Sequence, residues 1–295
     1  MKHFKNDGLL LIALMSLTFS LTAQQRELVN VGGIFVEQFS QNYTEDNRYT
    51  QDNFTYTEGL TFTYTYRFYD KEGREMLHQS TETAGIDHEK AWQFIPALRA
   101  DEETVRAVQM TVLHGMQGID QIKPEYNRTV VQYDYLTADG NARYTEVTGI
   151  VENEKNIWMH PPRSKLFRIL ELNPFPYIQA PYKIGAEWTW TQPIGAFWSD
   201  ARWKEWKGAV TNTYNYKITD KKMVRTTFGI LECYEVTAKA ESELGETALT
   251  ALFNQDYGFV QMNYTNIDGS KMAMELTGRA AESSLVAQMT PAKTK

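Results

Sequence analysis

Cys233 is the only cysteine of the chain, and a nucleophilic thiol needs exposure beside a base or in an electropositive pocket. It lies instead mid-strand in Leu231-Glu-Cys233-Tyr-Glu-Val236, between Glu232 and Glu235, whose charges oppose ionisation. It is therefore expected to be packed. One thiol makes no internal disulfide. No Gly-x-Ser-x-Gly elbow occurs, which leaves serine hydrolysis without its usual presentation. After residue 23 the histidines are His78, His88, His114 and His160, none at ligand spacing from another, and Asp46 and Asp52 lack the pattern of a calcium loop. Neither a metal nor a cofactor is expected. Glycoside hydrolysis needs two facing carboxylates, and spacing alone cannot choose a pair among 37 acidic residues.

Two constellations stand out. Glu152-Asn153 leads through Trp158 to His160-Pro161-Pro162-Arg163. Either the rigid prolines present His160 and Arg163 at a strand end to an anionic or sugar ligand, or they only stop the strand and Arg163 pairs with a carboxylate. The second is aromatic: five of the seven tryptophans fall between Trp188 and Trp206. Trp188 and Trp190 share one strand face and read as core. Trp198, Trp203 and Trp206 alternate with Asp200, Arg202, Lys204 and Glu205. Such amphipathic rings stack on sugars or hold lipid tails, or else they plug one end of a sheet. The candidate ligand-binding set is Trp198, Trp203, Trp206, Arg202, His160 and Arg163, with no catalytic residue.

The elements that must position these residues are strands. Phe54, Tyr56, Leu60, Phe62, Tyr64, Tyr66 and Phe68 all fall at even positions with threonines between them, the period-two signature of a half-buried strand. Similar runs predict strands near 32–38, 54–69, 75–83, 104–114, 128–136, 142–151, 156–160, 186–193, 209–218, 222–227, 230–240, 246–253, 258–266 and 270–278. Residues 101–114 also fit a helix capped by Asp101, with strand preferred. Segments 84–103, 161–185 and 194–208 read as long irregular connections, where sites concentrate. No βαβ rhythm exists, so the expected fold is all-β: a single antiparallel meander forming a strongly curved sheet or half-open barrel. The Tyr43–Asn47 stretch is nearly repeated at Tyr49–Asn53, too briefly to define a repeat architecture. In the last hairpin, Val260, Met262 and Tyr264 share a core face with Met272, Met274 and Leu276 only across a three-residue loop, Ile267-Asp268-Gly269, with Gly269 left-handed.

Lys2, His3 and Lys5 precede an apolar run, Leu9–Leu21, that ends in Thr22-Ala23. This is the pattern of a signal peptide over 1–23, leaving one all-β domain over 24–278 and a disordered polar tail over 279–295. No later stretch is apolar enough for a transmembrane helix, and no cysteine follows the cleavage point to carry a lipid. The chain's formal charge is −7, and losing the two lysines and one aspartate of the first 23 residues makes it −8. That sign disfavours nucleic acid and anionic membrane surfaces.

Tyr182-Lys-Ile-Gly185-Ala-Glu-Trp188, Gly229-Ile-Leu231-Glu-Cys233-Tyr-Glu-Val236 and Tyr257-Gly258-Phe259-Val260 follow one another in that order. Over about residues 180–278 this order resembles the TapB-like family of bacterial exported proteins of unknown function. The resemblance implies an all-β fold and carries no reaction or cofactor. The expectation is an exported protein, periplasmic or secreted and not an enzyme, that binds an amphipathic or saccharide ligand or a partner protein. A polysaccharide-active enzyme with paired carboxylates in the same cleft, and a structural protein without a pocket, are the alternatives.

Overall fold

The computed structural model describes residues 28–37, 53–80, 92–114 and 128–281. The expected signal segment, the Tyr43/Tyr49 near-repeat and the tail beyond Ala281 lie outside the described residues. Among the described residues sixteen strands are formed: β1 (Leu28–Val31), β2 (Ile34–Glu37), β3 (Leu60–Tyr69), β4 (Glu75–Ser80), β5 (Trp92–Pro96), β6 (Ala107–Val112), β7 (Thr129–Leu136) and β8 (Ala142–Glu152). The second half supplies β9 (Asn156–Met159), β10 (Tyr177–Gln179), β11 (Glu187–Gly195), β12 (Ala209–Thr226), β13 (Gly229–Ser242), β14 (Gly245–Asn254), β15 (Gly258–Thr265) and β16 (Lys271–Ala281).

Twelve of them form one antiparallel sheet in the order β10-β9-β8-β7-β6-β3-β16-β15-β14-β13-β12-β11, nearly closed into a barrel with one seam. The meander runs in two arms, because β3 pairs with both β6 and β16. The β4–β5 hairpin leaves this path after two residue pairs with β3.

The even-numbered aromatics of β3 face inward as their spacing predicts, with Phe62, Tyr64, Tyr66 and Phe68 buried. The strand does not extend back past Gly59, whose φ of +76° turns the chain; before it Tyr56 is buried while Phe54 is 84% exposed. The strand read from residue 54 therefore starts at 60. Other boundaries shift for similar reasons. Segment 84–103 contains β5, residues 32–33 form a turn between β1 and β2, and β16 runs past 278 to Ala281. The two strands expected at 209–218 and 222–227 are one, continued through a bulge between Ile218 and Asp220. The last hairpin has the expected register: Tyr264 opposes Met272 and Met262 opposes Met274. The Asn266 N–H donates to Ser270 O at 2.8 Å, and Gly269 has φ +85°.

A barrel of about eight strands is just filled by its own side chains, and a wider one needs other matter inside. Residues 160–176 supply it. This stretch, with a 3-10 helix at Lys165–Leu172, buries Leu166, Phe167, Ile169, Leu170, Leu172 and Phe175. It meets inward residues all round the wall. Phe167 packs on Tyr66 and Tyr135, and Phe175 on Trp158 and Trp190. Its carbonyls are paired by wall side chains: Tyr133 Oη donates to His160 O (2.7 Å), Tyr216 Oη to Phe175 O (3.0 Å) and Thr247 Oγ1 to Leu172 O (2.9 Å).

The seam lies between the two end strands, β10 and β11, and the β1–β2 turn occupies it. Thr191 N donates to Gly32 O (2.9 Å), and Tyr177 Oη donates to Gly33 O (2.6 Å) from the other bank. Asn156 holds β2 as well, accepting from Phe35 N (2.8 Å) and donating to Phe35 O (3.0 Å). Gly33 has φ +107°, and a Cβ there would stand 2.1 Å from Thr189 O. Only glycine fits. Gly33→Ala is expected to cost about 2 kcal/mol or more, read as a lower urea midpoint; an unchanged midpoint would mean that the turn does not clasp the seam.

Candidate functional site

Where β9 ends, Pro161 and Pro162 carry the chain into the barrel, and the two polar residues flanking them part company. His160 turns inward and is 5% exposed. Its Nδ1–H donates to Pro161 O (2.7 Å), and its Nε2 lies 3.1 Å from Glu171 Oε1, off the line of a good hydrogen bond. Nδ1 must carry a hydrogen, since a carbonyl only accepts. Arg163 stays at the rim. Its backbone N–H donates to Glu146 Oε1 (2.7 Å), while Ser164 Oγ donates to Glu146 Oε2 (2.6 Å) and Tyr135 Oη to Oε1 (2.5 Å). Burial first, then the Glu146 charge, push the Tyr135 phenol well up, so it keeps the proton it donates. These bonds from β7, β8 and the plug fix residues 163 and 164.

Lys165 follows with φ +56°, a left-handed conformation that a non-glycine residue holds only when its surroundings impose it. Its ammonium lies 4.3 Å from the centre of the Tyr144 ring. One turn on, Arg168 leaves the plug and donates to Phe197 O. Its guanidinium sits over the rings of Phe197 (4.8 Å) and Trp198 (5.6 Å). Residues 196–206 fold over this end as a loop tied by its own side chains. Arg202 grips Asp200 through Nε–Oδ1 (2.8 Å) and Nη2–Oδ2 (2.5 Å), and Trp203 Nε1 donates to Trp198 O (3.3 Å). Burial works to raise the Asp200 carboxyl, but the hydrogen bonds from Arg202 and the charges of Arg202 and Arg168 hold it below the usual range.

Between these elements is a cavity of about 320 Å³ lined by Tyr144, Arg163, Ser164, Arg168, Phe197 and Trp198. It unites two of the six sequence candidates, Arg163 and Trp198, which are 35 positions apart. The other four stand outside its lining. Trp203 is buried, Trp206 is half-buried, Arg202 is engaged with Asp200 and His160 faces the plug. Sequence reading missed Tyr144, Ser164, Arg168 and Phe197. Only Phe197, beside Trp198, carried a local signal.

Two larger hollows, of about 580 and 620 Å³, contain none of the six candidates. In the second, the oxygens of Glu152 accept from the amides of Thr55 and Tyr56, both at 2.9 Å. Burial raises the Glu152 carboxyl, against those amides. Its role there is to turn residues 53–56 into the barrel. Among the described residues no group of three or more His, Cys, Asp or Glu side chains gathers where a metal could be held, and no helix is long and apolar enough to cross a membrane.

No family model matches the chain, and no curated protein does. Solved structures similar to it include a candidate exported protein with a YmcC-like fold from Bacteroides fragilis, at 11% identity and a TM-score of 0.42, covering 77% of this chain and 98% of that one. A candidate lipoprotein from Parabacteroides distasonis has 11% identity and a TM-score of 0.39, covering 77% and 97%. The hypothetical lipoprotein YmcC from Escherichia coli has 11% identity and a TM-score of 0.34, covering 74% and 84%. The TapB-like resemblance finds no matching family model, and its motif residues serve the fold. Gly185 and Gly229 take φ of +89° and +103°, Cys233 and Val236 are fully buried, and Gly258 leaves room for the Tyr56 hydroxyl.

The Cys233 thiol is pushed up to about 11, by burial first and then by the Glu232 charge, with Lys222 opposing. It is expected to resist maleimide at pH 7.5 until urea unfolds the protein; rapid labelling of the native protein would contradict its packed position. His78 gives a second prediction. It is walled by Tyr66, Phe94 and Phe167, neither ring nitrogen has a hydrogen-bond partner, and burial, then the Arg202 charge, lower its pKa to about 3. The unfolded chain takes up this proton below about pH 6.5 and the folded one does not until about 3. Stability from His78 is thus full above pH 6.5 and lost as the pH falls towards 3. Urea midpoints of His78→Phe should fall less than those of the unaltered protein between pH 6.5 and 4; parallel curves would contradict this.

Proposed function

We propose that this is an exported, non-catalytic envelope protein whose plugged barrel displays a small end pocket for a saccharide or other amphipathic ligand. The observation that carries the reading is the meeting of Arg163 and Trp198, distant in sequence, in one 320 Å³ cavity that leaves the Trp198 ring half-exposed. An aromatic face beside charged donors recognises a ring that is apolar on its faces and polar at its edge. The barrel interior is taken up by residues 160–176, so a ligand has its place at the end. The lining includes no carboxylate, whereas hydrolysis of a glycosidic bond by the usual route uses two. Export is supported by the charged and apolar pattern of residues 1–23.

Native mass spectrometry of the protein purified from its own envelope tests this. The expected result is a retained adduct in the unaltered protein that is lost in Trp198→Ala. A bare mass, together with tryptophan emission indifferent to added oligosaccharides, would overturn it.

A further inference from the structure

We propose that the end pocket selects an acidic saccharide, whose carboxylate or sulfate group is held by the Arg163 guanidinium. This rests on the saccharide reading above and narrows it to a charge class. The Arg163 backbone is pinned by Glu146, yet its guanidinium makes no hydrogen bond or ion pair among the described residues. A half-buried arginine on the lining of a cavity carries the planar fork best matched to a carboxylate or sulfate, through two parallel N–H donors. The nearby acids are otherwise engaged. Both Glu146 oxygens accept from Tyr135, Ser164 and the Arg163 amide, and both Asp200 oxygens accept from Arg202.

Arg168, stacked on Phe197 and Trp198, adds a second positive charge to the lining. The whole chain is net negative at −7 and so repels acidic polymers at long range. Attraction must therefore be local, which makes it selective for what fits beside Trp198. At about 320 Å³ the cavity is at the small end for ligand sites. It takes one or two units of a longer chain, with Trp198 stacking on a sugar ring and Arg163 on its acidic substituent.

Calorimetric titration of the protein lacking residues 1–23 with three probes, a galacturonate hexamer, sulfated dextran oligomers and neutral maltohexaose, is the test. At least one charged probe should bind ten or more times tighter than maltohexaose, and whichever binds more tightly identifies the anion. Arg163→Ala should abolish that preference, Arg163→Lys should restore part of it, and Lys271→Ala, which removes the same charge from an exposed strand position, should leave it intact. Equal affinity for maltohexaose, unaffected by Arg163→Ala, would overturn the charge selection and leave the saccharide reading standing. Binding of none of the three would overturn both.

Discussion

A twelve-strand barrel encloses more space than its own side chains fill, and the segment that fills this one is irregular backbone whose polar groups are cut off from water. Each such group left unpaired would cost about 1–3 kcal/mol. The wall answers with side-chain donors. Tyr133, Tyr216, Asn212 and Thr247 all reach carbonyls of residues 160–176, and Asn173 of the plug donates to Asn266 of the last hairpin loop (2.7 Å). Tyrosine serves twice here, since its ring fills volume and its hydroxyl reaches a carbonyl. The inward face is accordingly rich in tyrosine where an aliphatic core would have done for a filled, narrower barrel.

The same constraint positions the candidate site. A plug that enters past Pro161-Pro162 must cross the barrel rim, and the crossing is fixed by Glu146, which binds the backbone of Arg163, the hydroxyl of Ser164 and the phenol of Tyr135. With those three held, the Arg163 guanidinium stays at the rim, Lys165 is forced left-handed and Arg168 returns to the surface under Phe197 and Trp198. At the seam the β1–β2 turn does for the strand edges what the wall does for the plug. It supplies partners to backbone that would otherwise be open, and Pro193 on β11 removes one edge donor that would invite another chain.

The all-β fold and the barrel-like sheet were legible because period two needs no knowledge of partners: Phe62 to Phe68 announce one face of one strand by themselves. The register of the last hairpin was legible for the same reason, since the methionines on both strands must share a face. The plug was not. Residues 160–176 are rich in proline and apolar side chains, and no local spacing distinguishes a loop over the surface from one running inside a barrel. That ambiguity displaced His160, whose neighbours read as a strand end and whose ring lies in the interior, where it donates to Pro161 O. Arg163 and Trp198 were legible as types suited to binding. Their meeting depends on how the plug exits, which is a property of the whole barrel, and for that reason Arg168 and Tyr144 gave no sign.

Because each satisfies the other's polar groups, plug and wall are expected to open as one cooperative unit. Native-state hydrogen exchange on individual amides tests this most directly. The Phe167 and Asn173 amides, which donate to Ser164 O (3.1 Å) and Leu170 O (3.0 Å) within the plug, should exchange only through the same global opening as the amides of β3, β7 and β12. Exchange of the plug amides orders of magnitude faster, with the wall still protected, would contradict the account and make residues 160–176 a passenger in a barrel that stands without them.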